Sequence, residues 1–302
     1  MNLSRRHFNK GIAALTATAA FSRQSFAFAE NGLSIGLNTW SLRAVSQHEA
    51  IPIIIQTMKQ AKLHDCQLLF THVEPERFNP VFPVGNFNPP RTSPTPQQIE
   101  ERNANTAALT KWRLSVPMSF FEAIRSDFEK QGLRIKSYSV PFGTSEEEID
   151  RLFLMAKALG ADSLVTRLPA ALTSMAADAA DKHQMIVGLQ FTNIDDLHKQ
   201  LAASRYFRMD PDIGDLTKAK IDALQFVQTN YASMYAFDLK DAIVGGTSVP
   251  FGLGTAHMKE ILQFLKQKQA PVTAYIDCDY AGTGRSIEEV VKCATYIRSI
   301  IS

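Results

Sequence analysis

The sequence predicts a (β/α)8 barrel, in which eight parallel strands alternate with helices around one closed sheet. From about residue 33 onward one unit recurs eight times: a short apolar or β-branched run ends in polar residues, and an amphipathic helix follows. Eight such units in a chain of 302 residues are typical of a closed parallel barrel. An open doubly wound sheet usually has a glycine-rich turn after its first strand, and Leu-Asn-Thr-Trp at 37–40 is not one. The sequence therefore favours a barrel and predicts no nucleotide cofactor.

The elements follow in order along the chain. The predicted strands cover residues 33–40, 66–73, 133–140, 162–168, 184–191, 206–209, 232–239 and 272–278. The predicted helices cover residues 47–63, 98–131 (as two helices), 145–159, 170–181, 194–204, 216–229, 256–268 and 286–300. Gly132 and Gly160 follow helices where a left-handed C-cap is favoured, and Ser145 precedes three glutamates that suit a helix N-terminus.

One long segment after the second strand breaks this rhythm. Residues 78–97 are rich in proline and asparagine and predict an insertion without regular structure. Because the insertion follows a strand, it belongs to the C-terminal face of the predicted barrel. A long loop at that face is more typical of a lid or a rim than of a neutral insertion.

Residues 1–29 predict a twin-arginine signal peptide that is separate from the fold. A paired arginine at 5–6 precedes a short apolar stretch, and Ala-Phe-Ala at 27–29 supplies a small-x-small cleavage site. The apolar stretch is too short to span a bilayer as a mature helix. We therefore expect the twin-arginine machinery to export the protein to the periplasm or otherwise out of the cytoplasm, and residues 30–302 to form the barrel domain.

Charge and composition argue against several classes of function. The 32 basic and 30 acidic residues nearly balance and form no basic stripe, so no nucleic-acid partner is expected. No run after the signal is long and apolar enough to predict a membrane span. The three cysteines, Cys66, Cys278 and Cys293, show no CxxC spacing and predict no disulfide framework.

Barrel enzymes carry their reacting groups at the C-terminal ends of the strands. The polar residues at these predicted ends are therefore the candidates for a site. In chain order they are Asn38, Trp40, His72, Glu74, Ser139, Arg167, Gln190, Asn193, Asp210, Asp212, Asp215, Asp238, Lys240, Asp241, Asp277 and Asp279.

The last three strands bring acidic residues toward one mouth, with Asp212, Asp238 and Asp277 as the central set. Two carboxylates 4 Å apart repel by about 4 kcal/mol at an effective dielectric constant near 20. A divalent cation such as Mn, Mg or Ca would relieve this repulsion, and so would Lys240, Arg167 or a raised pKa that leaves one carboxyl neutral. Alternatively, these strand ends face separate loops and the three side chains never meet.

The other candidates also have more than one interpretation each. His72 and Glu74 are a base with its orienting partner, a metal-binding arm, or simply an anchor for a loop. Trp40 stacks on a sugar ring or packs at the rim of the core. Lys240 stabilises an oxyanion or balances the aspartates, and Arg167 pairs with an aspartate or binds a substrate anion.

Six phrases, in the expected order, resemble the xylose-isomerase-like family of sugar phosphate isomerases and epimerases, and in part its exported branch. The likeness covers nearly all of the chain after the signal. The phrases lie at residues 112–133, at 155–161 (Met-Ala-Lys-Ala-Leu-Gly-Ala), at 212–214 (Asp-Ile-Gly), at 238–241 (Asp-Leu-Lys-Asp), at 249–254 (Val-Pro-Phe-Gly-Leu-Gly) and at 276–280 (Ile-Asp-Cys-Asp-Tyr).

This resemblance implies a divalent metal held by Glu, Asp, His and Glu from the last four strands, with the glutamates also moving protons between adjacent sugar carbons. The matching positions here are Gln190, Asp212, Asp238 and Asp277. Asp212 alone keeps the family's residue type. The family's histidine after the sixth-strand glycine is Asp215 here, and the glutamate of its glycine loop is Leu253.

These departures leave two main hypotheses open. The first is a sugar isomerase or epimerase, or a related lyase, that abstracts a proton next to a carbonyl with or without a divalent metal. The second is a non-catalytic sugar-binding barrel. Gln190 cannot accept a proton at neutral pH, so one base of a two-base epimerase is missing. A zinc phosphodiesterase ranks last, since its sites need many histidines.

The expected catalytic residues are Asp277, Lys240, Glu74 and His72. The expected substrate-binding residues are Trp40, Asn38, Arg167 and Asp215. A small-molecule carbohydrate is the expected ligand.

Overall fold

The computed structural model describes residues 32–78, 93–191 and 193–301. The expected signal peptide, and residues 79–92 of the expected insertion, lie outside them. Eight strands form one parallel sheet in the order β6-β5-β4-β3-β2-β1-β8-β7. The strands are β1 (Ser34–Asn38), β2 (Asp65–Leu69), β3 (Arg134–Ser139), β4 (Ser163–Arg167), β5 (Ile186–Gln190), β6 (Phe207–Met209), β7 (Ala236–Leu239) and β8 (Thr273–Ile276).

Two isolated parallel bridges join the ends of this sheet. They pair Met209 with Met234 and Asp212 with Asp238, and so connect the β6 segment to the β7 segment. The nearly closed sheet with helices between its strands confirms the predicted (β/α)8 barrel. The closure also sets two of the expected site residues, Asp212 and Asp238, directly opposite each other.

The helices follow the strands as the hydrophobic periodicity predicts. They are α1 (Gln47–Gln60), α2 (Pro96–Ser115), α3 (Met118–Glu129), α4 (Glu146–Ala158), α5 (Thr173–His183), α6 (Ile194–Leu201), α7 (Ile213–Lys218), α8 (Ala223–Asn230), α9 (Met258–Gln267) and α10 (Ile287–Ile301). Short 3-10 turns add Thr39–Leu42, Phe70–His72, Ala170–Leu172 and Tyr231–Ser233. No helix within the described ranges has the length and apolar character needed to cross a membrane.

Two differences from the predicted helices have a clear local cause. The expected helix over 216–229 is two helices, because Lys220 adopts a left-handed conformation (φ +63°) and the Asp222 side chain caps the second helix by accepting from the Gln225 amide. Helix α2 begins at Pro96, where Thr95 and Gln98 form a reciprocal capping box. It therefore starts inside the segment that was expected to be insertion.

The predicted caps on α3 and α4 are present. Gly132 and Gly160 have positive φ angles of +69° and +73°, the conformation that favours glycine after a helix. The Ser145 side chain accepts a hydrogen bond from the Glu148 amide at 3.2 Å. Local signals in the sequence therefore predict where these elements begin or end.

The alternation of side chains along each strand divides apolar from polar positions. Leu37 and Leu239 belong to the buried apolar cluster that fills the space between strands and helices. Their neighbours Asn38 and Asp238 therefore point to the opposite side, the interior of the barrel. Cys66, Cys278 and Cys293 are buried free thiols.

Candidate active site

A cavity of about 360 Å³ opens at the C-terminal ends of the strands. All eight strands, or the turns that follow them, contribute to its wall or floor, as the barrel rule predicts. The lining residues central to the site are Asn38, Trp40, Phe70, Arg167, Gln190, Asp212, Asp215, Asp238, Lys240, Asp277 and Asp279.

The ammonium group of Lys240 lies at the centre of the acidic side chains. Its Nζ atom is 2.7 Å from Asp212 Oδ2 and 3.0 Å from Asp277 Oδ2. A third carboxylate oxygen, Oδ2 of Asp279, lies 3.3 Å away. The Lys240 side chain is only 7% exposed, so these contacts are made largely out of water. The carboxylates do converge, and a lysine relieves part of their repulsion.

Asp238 is held by amide groups, and among the described residues no ammonium group lies within ion-pair distance of it. Its Oδ1 accepts a hydrogen bond of 2.9 Å from Asn38 Nδ2, and its Oδ2 accepts one of 3.0 Å from Gln190 Nε2. Asp238 is 1% exposed. Gln190 therefore takes the place of the family's glutamate as a hydrogen-bond donor toward the cluster.

Asp212 has a structural role as well as its contact with Lys240. As the N-cap of α7, it accepts a hydrogen bond of 2.9 Å from the Asp215 amide through Oδ1. Its other oxygen remains directed at Lys240. Asp-Ile-Gly at 212–214 is thus a helix start that aims one carboxylate oxygen into the mouth.

The enclosed position of Asp277 changes its acidity. Burial raises the pKa of Asp277 to about 7, with Lys240 opposing this rise and the charges of Asp279 and Asp212 adding to it. Its Oδ1 atom is buried and has no hydrogen-bond partner among the described residues. A carboxylate with a pKa near neutrality and one uncommitted oxygen has the properties of a general base.

The pKa values of Asp238 and Lys240 also shift, in the directions expected from burial and from the neighbouring charges. Burial, followed by the charges of Asp210 and Asp277, raises the pKa of Asp238 well above its ordinary value. Burial alone would lower the pKa of Lys240, but the surrounding carboxylates, with Asp212 foremost, hold it well above its ordinary value. Lys240 is therefore a permanent cation at neutral pH.

Asp210 is a buried acid that sequence reasoning placed at a strand end without assigning it a role. It is 0% exposed, and neither carboxylate oxygen has a hydrogen-bond partner among the described residues. Burial, with the charge of Asp212 adding to it, raises its pKa to about 7. It comes directly after β6, which ends at Met209, and this place at a strand end was the available signal.

Arg43 and Asp279 also belong to the site. Arg43 lies 3.2 Å from Asp279 and donates to the Cys278 carbonyl at 3.3 Å. Its guanidinium carbon is 5.7 Å from the centre of the Trp40 ring, which lines the cavity. Arg43 follows a 3-10 turn beyond β1, and no spacing in the sequence indicates that it reaches the end of β8.

Arg167 and Asp215 meet at the rim. Arg167 Nη2 is 3.1 Å from Asp215 Oδ2, and Lys218 Nζ is 2.6 Å from Asp215 Oδ1. Burial works to raise the pKa of Asp215, but Lys240, Lys218 and Arg167 together hold it below its ordinary value. Arg167 remains 57% exposed in its side chain, so it pairs with an aspartate and still faces the solvent side of the mouth.

His72 and Glu74 lie outside the set of cavity-lining residues. Arg113 makes hydrogen bonds of 2.7 and 3.0 Å to the two oxygens of Glu74, and it also donates to Glu148 at 3.0 Å. His72 is 1% exposed, and its Nε2 lies 3.0 Å from the Thr39 carbonyl oxygen. These contacts favour the loop-anchoring interpretation, and neither residue has a part in the proposed chemistry.

The glycine loop at 249–254 is tied to Asp241. The Asp241 carboxylate accepts from the Gly252 and Gly254 amides at 2.8 and 3.0 Å. A β-carbon at Gly254 would fall 2.0 Å from Asp241 Oδ1, which explains the glycine. Leu253, at the family's glutamate position, is 69% exposed and does not line the cavity.

The donor set suits a hard divalent cation in part. One oxygen from each of Asp212, Asp238 and Asp277 lies within 4.8 Å of the others. Carboxylate oxygens of this kind suit Mg, Mn or Ca, and the unpartnered Oδ1 of Asp277 has a free lone pair to offer. However, Lys240 already contacts two of the three carboxylates.

Comparison with solved structures supports the fold. A sugar phosphate isomerase/epimerase from Parabacteroides distasonis aligns over 90% of this chain and 96% of its own, with 14% identity and a TM-score of 0.59. A xylose isomerase domain protein from Alicyclobacillus acidocaldarius covers 89% of this chain and 98% of its own, at 13% identity and a TM-score of 0.56. A probable 3-DHS dehydratase from Bacillus anthracis covers 87% and 98%, at 12% identity and a TM-score of 0.60.

At these identities the likeness shows a shared barrel of the xylose-isomerase-like kind and leaves the reaction open. No family model matches the sequence, and no curated protein matches it by sequence.

Proposed function

We propose that this chain acts on a carbohydrate, an aldose, ketose or keto-sugar, by removing a proton from the carbon next to a carbonyl. The observation that carries the proposal is the state of Asp277 in the mouth of the barrel. One of its oxygens is held by Lys240 at 3.0 Å, and the other is buried with no hydrogen-bond partner in the described part of the chain. Because this oxygen is enclosed, it accepts a proton once the bound sugar, or a small rotation of the Asp277 side chain, brings a C–H bond against it.

The remaining lining residues suit a polyhydroxylated ligand. Trp40 and Phe70 offer apolar ring faces, and Asn38 and Gln190 offer amides. Arg167 at the rim adds a cation for a carboxylate or phosphate group, provided that its pairing with Asp215 loosens. Sugars are commonly bound by this combination of aromatic faces and polar side chains.

The missing second base narrows the class of reaction. Inversion at a carbon requires a base on each face of the sugar, and Gln190 stands where the second carboxylate is expected. A single base can carry a proton between adjacent carbons on one face, or start an elimination. We therefore favour an aldose–ketose isomerisation or a lyase reaction over a two-base epimerisation.

A divalent cation would be held by Asp212, Asp238 and Asp277, with the Gln190 amide oxygen as a fourth ligand after rotation of the amide. When bound, such a cation polarises a carbonyl oxygen and so makes the neighbouring proton more acidic. One oxygen of Asp277 would then bind the cation, and the other would accept the proton. Lys240 would keep its position beside Asp212 only if the site could hold its ammonium group and the divalent cation at the same time.

A second candidate function is sugar binding without catalysis. Two observations favour it: Gln190 already satisfies Asp238, and Lys240 already neutralises much of the acidic cluster. A mouth whose charges are satisfied internally can keep a ligand-binding role after losing its chemistry. The aromatic and polar lining is the same in both cases.

One experiment separates the two candidates. The purified protein is incubated in deuterated water with a panel of aldoses, ketoses and keto-sugars, and exchange is followed by proton NMR while binding is followed by calorimetry. Deuterium incorporation next to a carbonyl supports the enzyme. Binding without exchange supports the sugar-binding barrel, and neither binding nor exchange would contradict both.

We also propose that the twin-arginine route exports the protein before it acts on its ligand. The paired arginine at 5–6 and the small residues at 27–29 support this proposal. Replacing both arginines by lysine is expected to leave an uncleaved precursor inside the cell. Unchanged processing and export of that variant would show that another route carries the protein.

A further inference from the structure

We infer that the ammonium group of Lys240 and a divalent cation compete for the same carboxylate oxygens, so that Lys240 weakens metal binding at this mouth. A positive charge is required among three carboxylates that are buried or nearly so, and this chain supplies one from its own sequence. The inference concerns occupancy of the cluster, and it holds whether the mouth catalyses a reaction or only binds a sugar.

The first step of the argument is position. Nζ of Lys240 lies 2.7 Å from Asp212 and 3.0 Å from Asp277, which are two of the three residues that could ligate a metal. Divalent cations bind carboxylate oxygens at about 2.0–2.6 Å. A cation bound to both residues would therefore fall within a few ångströms of the ammonium, where two positive charges repel strongly.

The second step is that Lys240 is held in place. Its side chain is 7% exposed, and its stem passes over the first turn of α7 at Gly214. An ammonium has three N–H donors, and three carboxylates lie within 3.3 Å of this one, with Asp279 as the third. Moving Lys240 away would break these contacts together and leave buried carboxylates unpaired.

The third step concerns Asp238, the remaining possible ligand. Both of its oxygens already accept amide hydrogen bonds, from Asn38 at 2.9 Å and Gln190 at 3.0 Å. A metal would have to take one of these oxygens from an amide. Among the described residues, every carboxylate oxygen of Asp212, Asp238 and Asp277 therefore has a partner within the chain, apart from Oδ1 of Asp277.

The test measures metal affinity directly, without an activity assay. Mn²⁺ is titrated into metal-free protein and the free ion is followed by electron paramagnetic resonance for the wild type, Lys240→Met and Lys240→Gln. We expect either substitution to tighten binding of one Mn²⁺ at least tenfold, and the added Asp212→Ala change to abolish that gain. Equal or weaker Mn²⁺ binding by the folded Lys240 variants would overturn the inference.

Lys218→Met is the matched control. Lys218 is also a lysine beside an acid of this mouth, 2.6 Å from Asp215, but it contacts none of the three possible ligands. Its replacement is expected to change the Mn²⁺ affinity less than threefold. A gain as large as that of the Lys240 variants would show that net charge alone is responsible, and would overturn the specific competition.

A measurement on the unmodified chain keeps the inference testable if the Lys240 variants do not fold. Crystals of the wild-type protein are soaked in MnCl₂, and anomalous density is examined at the cluster. Manganese bound while Lys240 still contacts both Asp212 and Asp277 would overturn the inference. Manganese accompanied by a displaced Lys240, or no manganese at the cluster, would support it.

Discussion

Gly214 lies directly against the stem of Lys240: a β-carbon at position 214 would fall 2.7 Å from Lys240 Cγ and 2.9 Å from the Lys240 carbonyl oxygen. The glycine of Asp-Ile-Gly therefore makes room for the lysine of Asp-Leu-Lys-Asp. The two phrases come from neighbouring barrel segments, which the Asp212–Asp238 bridge joins. Their combination explains how Lys240 reaches Asp212.

Gly214→Ala is expected to destabilise the protein by about 1–3 kcal/mol, because the new methyl group must displace a buried stem or backbone. The free energy of unfolding, measured in urea, checks this expectation. Thr229→Ala on the exposed side of α8 is the control and should stay within about 0.5 kcal/mol of wild type. A Gly214→Ala variant as stable as that control would mean that the close contact does not exist.

Arg113→Met should be strongly destabilising, by about 3–5 kcal/mol, because it leaves Glu74 and Glu148 buried without their cation. The matched control is Arg125→Met, which breaks an exposed pair with Glu129 and should cost at most about 1 kcal/mol. Denaturant unfolding of the two variants gives the comparison. Similar small losses in both would contradict the role of Arg113 as the buried cation that anchors Glu74.

Asp210→Asn should make the free energy of unfolding less dependent on pH. Burial raises the pKa of Asp210 in the folded chain to about 7, above its unfolded value of 3.8. The folded state therefore binds more protons between these two pH values, and wild-type stability falls as pH rises through that window. Below it the residue is protonated in both states, and above it the loss is complete.

Unfolding in urea at pH 4.5, 6 and 8 checks this expectation. Relative to wild type, Asp210→Asn should gain on the order of 3 kcal/mol between pH 4.5 and 8, on top of any constant offset from the new amide. Asp178→Asn, on the exposed side of α5, is the matched control for the change from carboxyl to amide. Parallel pH profiles for wild type and Asp210→Asn would contradict the raised pKa of Asp210.

The barrel could be predicted from sequence because its signals are local. Strand alternation, the glycines at 132 and 160 and the Ser145 cap act within a few residues of one another. The convergence of the acids also followed from one rule, that the ends of parallel strands share a mouth. The choice between a metal and Lys240 as counter-ion could not follow, because it depends on where a long flexible side chain comes to rest.

Glu74 shows why some candidate residues could not be judged from sequence. β2 ends at Leu69, and the chain then enters a 3-10 turn. Glu74 follows this turn and therefore lies away from the mouth of the barrel. Its partner Arg113 comes from α2, on the far side of the insertion. Arg43 likewise reaches Asp279 across 236 positions of sequence. Only the packed structure brings such distant groups together.

The most direct test of the central claim is the rate of deuterium exchange next to the carbonyl of a bound sugar in Asp277→Asn. The matched control is Asp279→Asn, which removes a second carboxylate beside Lys240 at the same strand end but leaves the proposed base intact. We predict a loss of about 10²–10⁴-fold for Asp277→Asn and less than tenfold for Asp279→Asn, with both variants folded. Exchange at the wild-type rate in Asp277→Asn would contradict the assignment of Asp277 as the base.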